Sequence, residues 1–302
     1  MTEITVESPP VLWKQYLELC KPNVVMLIIF TAIVGMLLST PGFIPLDIFI
    51  FASLGIGMAA ASGAAINHWV DQKIDAQMER TKARPLPTGG MSSASAITFA
   101  ILLGVISMVI LLAFVNTLTA ILTFICIIGY AVIYTKYLKR TTPHNIVLGG
   151  AAGAAPPVLG WAAVTGEVNT EALLLFLIIF IWTPPHFWAL AIKRRDDYAK
   201  VGLPMLPVTH GIEFTKMQVL LYTVMLLAVT LIPFVIEMSG LIYLAGAVAL
   251  GIGFIYHAYR LYLCEADEHA MKTFAYSIFY LTALFAFFLA DHYVRIAVRA
   301  FL

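Results

Sequence analysis

The chain has 302 residues, 61% hydrophobic and 12% charged, a balance that leaves a soluble domain of this size too little polar surface, so the bilayer is its solvent. A net charge of +1 gives no global field for nucleic acid, and the scattered Cys20, Cys126 and Cys264 define neither a disulfide framework nor a cysteine metal site. The apolar stretches are continuous rather than alternating, which excludes a transmembrane barrel and predicts an all-α integral membrane bundle.

Met1–Pro22 carries charges of both signs and no short apolar core, so residues 1–22 are expected to form a short cytoplasmic N-terminal segment rather than a cleavable signal. An Arg- and Ser-rich transit peptide is also missing, which points to a bacterial cytoplasmic (inner) membrane. No linker rich in Gly, Ser or Pro divides residues 23–302, which read as a single polytopic domain. Crossing about 30 Å of hydrocarbon takes roughly 20 apolar residues, and about nine stretches qualify. They lie near Val24–Leu38, Ile48–Trp69, Ser95–Phe114, Leu118–Tyr134, Asn145–Val164, Leu173–Ile192, Val219–Ile236, Leu241–Tyr262 and Phe274–Tyr293. Cations gather between Lys73 and Arg84, Lys136 and Arg140, and Lys193 and Lys216, whereas the loops around Thr40, Asn116, Gly166 and Met238 have none. This asymmetry predicts a cytoplasmic N-terminus and functional inner loops facing the cytoplasm. Arg295 and Arg299, after the last span, fall on the outer side against that rule.

The inner end of the second span places Asn67, Asp71 and Asp75 four residues apart, on one helical stripe. Two carboxylates and an amide form a hard-oxygen cluster of the kind that holds Mg²⁺ together with substrate phosphates. Arg80, Lys82 and Arg84 follow, cations suited to clamping phosphate oxygens. Charges solvated beyond a helix end would also account for this loop. Against that, Asn67 and Asp71 continue an apolar span, where an acid is costly without a partner or a function.

In the second inner loop Lys136 and Arg140 are again four apart, as phosphate ligands or as cations snorkelling from a span end. The small-residue run Asn145–Pro157 reads chiefly as close helix packing. Further on, Pro184-Pro185 is expected to kink its span, with His186 at the break either a hydrogen-bonding core residue or a substrate contact. Lys193, Arg194, Arg195, Asp196 and Asp197 then make a second charged patch on the same membrane side, suggesting a shared diphosphate site. A prenyl diphosphate suits such a chain, because its tail belongs in lipid while its head needs metal and cations. Interfacial aromatics such as Trp69, Tyr134, Trp182 and Trp188 could stabilise an allylic cation by their π faces, or simply form membrane belts.

The Asn67-x₃-Asp71-x₃-Asp75 stripe resembles the first aspartate motif of the UbiA-type intramembrane prenyltransferases, a family built as a nine-helix bundle. Asp71 through Met78, Arg80, Thr81, Arg84 and Pro85, then Tyr134 to Arg140, Asn145-Ile-Val with Gly149-Gly150, and Pro185-His186-Phe187-Trp188 resemble its heme-modifying branch. Two positions depart from the wider family: His68 stands where many members have Asp, and Lys193 stands four before Asp197 in place of a second aspartate. The resemblance implies transfer of the farnesyl group of farnesyl diphosphate to a vinyl group of heme B, giving heme O and diphosphate. Mg²⁺ would then be held by Asn67, Asp71 and Asp75, with Lys136 assisting catalysis. Arg80, Lys82, Arg84 and Arg140 would bind phosphate oxygens, His186 would contact heme iron or a propionate, and Lys193, Arg194, Arg195, Asp196 and Asp197 would complete the substrate site. Heme B would be substrate rather than prosthetic group, and heme-pathway or oxidase-assembly proteins would be partners. A quinone or chlorophyll acceptor on the same fold is the nearest alternative. A transporter fits less well, because the polar clusters gather at one face and no internal repeat is evident.

Overall fold

The computed structural model describes residues 12–264 and 268–301, and among them there is no strand. A short helix α1 (Leu12–Leu19) meets α2 (Pro22–Leu38) at a bend of 48°. Lys21 turns that corner in the left-handed region, at φ 50°, and Pro22 opens α2 where its missing N–H costs nothing. Next come α3 (Leu46–Asp75), α4 (Ser93–Phe114) and α5 (Thr117–Ile127), which runs into a π-helical stretch, Ile128–Leu138, and then α6 (Lys139–Thr141). The pair α7 (Asn145–Ala154) and α8 (Pro156–Thr165) precedes α9 (Thr170–Lys193), the short α10 (Arg195–Lys200) and α11 (Leu206–Thr209), and the long α12 (Ile212–Val235), α13 (Leu241–Leu263) and α14 (Glu268–Phe301). Ser92, Asn116 and Asn169 accept the Ser95, Thr119 and Ala172 amides as N-caps, and Gly166 closes α8 at φ 72°.

Eight helical segments among the described residues are long and apolar enough to cross a membrane, and up to nine if α1 and α2 form one bent span. The chain is thus an all-α, multi-pass membrane protein, as its composition predicts. One boundary differs from the hydropathy reading in a way that matters. Helix α3 continues six residues beyond Trp69 to Asp75, which carries the whole acidic stripe on one rigid element. Helix α9 runs through Pro184 and Pro185 without interruption, and the Thr183 hydroxyl donates to the Ile179 carbonyl within it.

The small residues set how closely the helices approach. A Cβ on Gly35 would overlap the Pro157 carbonyl and one on Gly160 the Ala32 carbonyl, so α2 and α8 meet backbone to backbone. Next to this contact a core of Ala32, Met36, Ala52, Ile56, Leu159 and Ala163 packs tightly.

At the end of the bundle where α12 gives way to α13, the buried Asp291 of α14 accepts the amides of Gly240 (2.5 Å), Ile242 (3.1 Å) and Tyr243 (3.2 Å). A carboxylate from one helix therefore caps the start of another, and Arg295 beside it donates to the Met238 carbonyl at 2.9 Å. Asp291→Ala strips those amides of their partner and is expected to cost about 2–4 kcal/mol. A clearly lowered unfolding temperature in detergent would register the loss, with Asp291→Asn intermediate.

Candidate active site

The stripe on α3 becomes a network of cations and carboxylates at the inner end of the helix. Asp71, 1% exposed, receives Lys139 Nζ at 2.5 Å on Oδ2 and Arg140 Nη2 at 3.3 Å on Oδ1. Asp75, 4% exposed, pairs with Arg84 Nη1 at 2.6 Å. The Asn67 amide donates to Asp71 (2.9 Å) and to the Thr135 hydroxyl (3.3 Å), while its oxygen accepts Lys21 Nζ at 2.6 Å. Each acid at this depth therefore has the partner that the low-dielectric setting requires.

Local structure explains how these side chains converge. The loop after α3 folds back on itself, with the Thr81 hydroxyl on the Asp75 carbonyl at 3.0 Å, which returns Arg84 to Asp75. The π-helical stretch turns Thr135 inward, where its hydroxyl donates to the Tyr130 carbonyl five residues earlier and accepts from Asn67. Lys139 and Arg140 follow on α6.

Two spaces meet at Lys21, which lines both. On the membrane side lies an apolar cavity of about 280 Å³ walled by α2, α3, α5, the π-helical stretch, α7, α8 and α9. Tyr130 and Tyr134 stack with ring centres 5.7 Å apart on its wall, and Gly149 leaves room for the Tyr134 ring. Outside the cavity a groove of about 640 Å³ is bordered by Trp13, Leu17, Glu18, His68, Arg80 and Arg84. His68 is buried, and neither ring nitrogen has a hydrogen-bond partner.

Of the residues expected from sequence, Asn67, Asp71, Asp75, Arg84 and Arg140 come together, and Arg80 stands at the rim of the groove. Lys136 does not join them. It is exposed and lies 5.6 Å from the Tyr137 ring, so the cation that reaches Asp71 is Lys139. Lys82 points outward to Glu79 at 2.6 Å, and its hydrogen bond and charge lower the Glu79 carboxyl from its ordinary pKa. His186 lies between Trp182 and Phe274, at ring distances of 4.3 and 4.6 Å, with Nδ1 2.6 Å from the Ser277 hydroxyl. It ties α9 to α14 and is absent from the cavity wall, as the core-histidine reading of the sequence would have it.

In the second patch Lys193, Arg195 and Asp196 are exposed, and Arg194 faces Asp197 at 4.0 Å. Tyr198, which the sequence reading passed over, is buried beside that patch. Burial raises its phenol pKa, while Arg80, Arg194 and Arg84 pull it down, so the patch and the first inner loop act on one side chain. Lys21, Lys139 and Thr135 were also missed as site residues. Their signal is three-dimensional, since 46 residues separate Lys21 from Asn67 and 68 separate Asp71 from Lys139.

Among the described residues no three His, Cys, Asp or Glu side chains are grouped to hold a metal ion. A closed protein cage is therefore not what this site offers. Two buried carboxylates and an amide oxygen on one helix face do suit Mg²⁺, which takes one or two carboxylates and completes its shell with phosphates and water.

The sequence profile of the UbiA prenyltransferase family matches residues 28–289. The chain belongs to that family. Its UbiA-family relatives include a protoheme IX farnesyltransferase of Thioalkalivibrio sulfidiphilus, 66% identical over 94% of each chain. Another, from Nitrosococcus oceani, is 60% identical over 97% of this chain and 99% of the relative. Among solved structures, a digeranylgeranylglyceryl phosphate synthase superposes with a TM-score of 0.78 at 22% identity, over 93% of this chain and 98% of the other. A UbiA homolog from Archaeoglobus fulgidus bound to DMAPP and Mg²⁺ gives 0.64 at 17% identity, over 91% and 99%. These structures share the UbiA fold.

Proposed function

We propose that this UbiA-family chain transfers the farnesyl group of farnesyl diphosphate to a vinyl group of heme B, in a bacterial inner membrane and with its charged site toward the cytoplasm. The observation that carries this reading is the juncture at Lys21, where an apolar cavity meets a cation-rich, acid-bearing cluster. The full-length likeness to proteins named protoheme IX farnesyltransferase supports the acceptor.

Asp71 and Asp75 with the Asn67 amide would hold Mg²⁺, which supplies positive charge against the diphosphate leaving group. Arg84, Lys139, Arg140 and Lys21 present donors to phosphate oxygens, and Arg80 waits at the rim. The allylic carbon–oxygen bond breaks with its electron pair leaving on diphosphate. The vinyl π electrons of heme form the new carbon–carbon bond, and water adds to the resulting cation with loss of a proton, giving the hydroxyethylfarnesyl substituent of heme O. Tyr130 and Tyr134 line the cavity where the allylic cation forms, and the apolar wall keeps water from it.

The purified protein in lipid or detergent is to be incubated with heme B, farnesyl diphosphate and Mg²⁺, and the extracted hemes weighed by mass spectrometry. A farnesylated, hydrated heme is expected, and EDTA should abolish it. Prenylation of a quinone precursor with heme B left untouched would overturn the acceptor while leaving the fold and donor site in place.

A further inference from the structure

We infer that the end of the apolar cavity remote from the acidic stripe selects the length of the prenyl chain, with Ile56 and Leu159 as the floor. This rests on the proposed donor site and adds a specificity determinant to it. On α3 the wall residues are Ile56, Ala59, Ala60, Gly63 and Ala64, and Ile56 is the one farthest from the acidic stripe. Ile56 and Leu159 belong at once to the cavity wall and to the packed core of Ala32, Met36, Ala52 and Ala163, none of which touches the cavity. The backbone contacts of Gly160 with Ala32 and of Gly35 with Pro157 seal α2 against α8 at that level.

The distance along α3 from the acidic stripe to Ile56 is close to the length of three isoprene units. At a rise of about 1.5 Å per residue, Ile56 lies about 16 Å along α3 from Asn67. Carbon–carbon bonds of about 1.5 Å, each advancing roughly 1.25 Å in an extended chain, give a farnesyl tail about 14 Å from first to last main-chain carbon. On the same scale a geranyl tail is about 9 Å and a geranylgeranyl tail about 19 Å. The longer tail overshoots Ile56 and Leu159 by about 3 Å, more than half a unit, and the shorter one leaves apolar wall uncovered, which forfeits transfer free energy.

Ala59 sits one turn above Ile56 on the same wall. A larger side chain there raises the floor by about 4.5 Å, close to one isoprene unit. Conversely, Ile56→Ala with Leu159→Ala removes six carbons against the five of an added unit.

The test is competition against radiolabelled farnesyl diphosphate bound to the full-length protein with Mg²⁺, an assay that needs no acceptor. For the unaltered protein, farnesyl diphosphate is expected to outcompete the geranyl and geranylgeranyl compounds by at least about tenfold. The Ile56→Ala/Leu159→Ala protein should lose that margin over geranylgeranyl diphosphate, and Ala59→Phe should favour geranyl over farnesyl diphosphate. Because emptying the floor risks the fold, Ile56→Val and Ala59→Leu provide milder steps in the same two directions. Unchanged length preference across variants that still bind overturns the floor assignment alone. Failure of the unaltered protein to bind any prenyl diphosphate overturns the donor site itself.

Discussion

Asp71→Ala is expected to reduce prenyl transfer by at least about a hundredfold, the scale on which removing one electrostatic stabiliser of a developing charge is felt. The substitution removes the oxygen pair proposed to hold Mg²⁺ and also deprives Lys139 and Arg140 of their shared counter-charge. Those two losses are separable. Lys139 is 16% and Arg140 40% exposed, so water compensates part of the ion pairing, and the folded protein should survive with a modest fall in stability. Asp71→Asn keeps the shape and a carbonyl oxygen but not the charge. It should unfold at nearly the normal temperature and still show the full loss of product formation. A near-normal rate for either variant would remove Asp71 from the donor site.

The second large effect separates two lysines three residues apart. Lys139→Met is expected to lower kcat/KM for the donor by about a hundredfold, because its ammonium is held against Asp71 in the proposed diphosphate site. Lys136→Met should leave the rate within about twofold, since an exposed charge beside Tyr137 contributes little. Steady-state rates at varied farnesyl diphosphate suffice to decide, and a reversed order would mean that the two side chains exchange places when substrate binds.

That contrast also shows where sequence reading succeeds and where it stops. Helix number and class follow from hydropathy because the bilayer demands long apolar runs whatever their packing. The acidic stripe was legible because Asn67, Asp71 and Asp75 share one ordinary α-helix, whose periodicity is known in advance, and Arg84 was legible because it lies only nine residues beyond Asp75. Pairing Lys136 with Arg140 assumed the same periodicity for Ile128–Leu138, yet that stretch closes its turns over five residues, and the face rotates accordingly. Lys21 stayed hidden for another reason: it lies at a helix corner and reaches its partner only once α2 has packed against α3. His186 is the case where sequence left two readings open, and the Ser277 hydrogen bond on Nδ1 with the Trp182 stacking supports the core-histidine one.

The wide turns of Ile128–Leu138 also bear on how this chain tolerates insertions and deletions. Removing one residue from that stretch would leave a span just as apolar and nearly as long, with every loop charge intact. It would nevertheless swing Lys139 and Arg140 by roughly a quarter turn around the axis, away from Asp71. In this helix residue count is itself a functional constraint, one that acts through angular phase and leaves no mark on hydropathy.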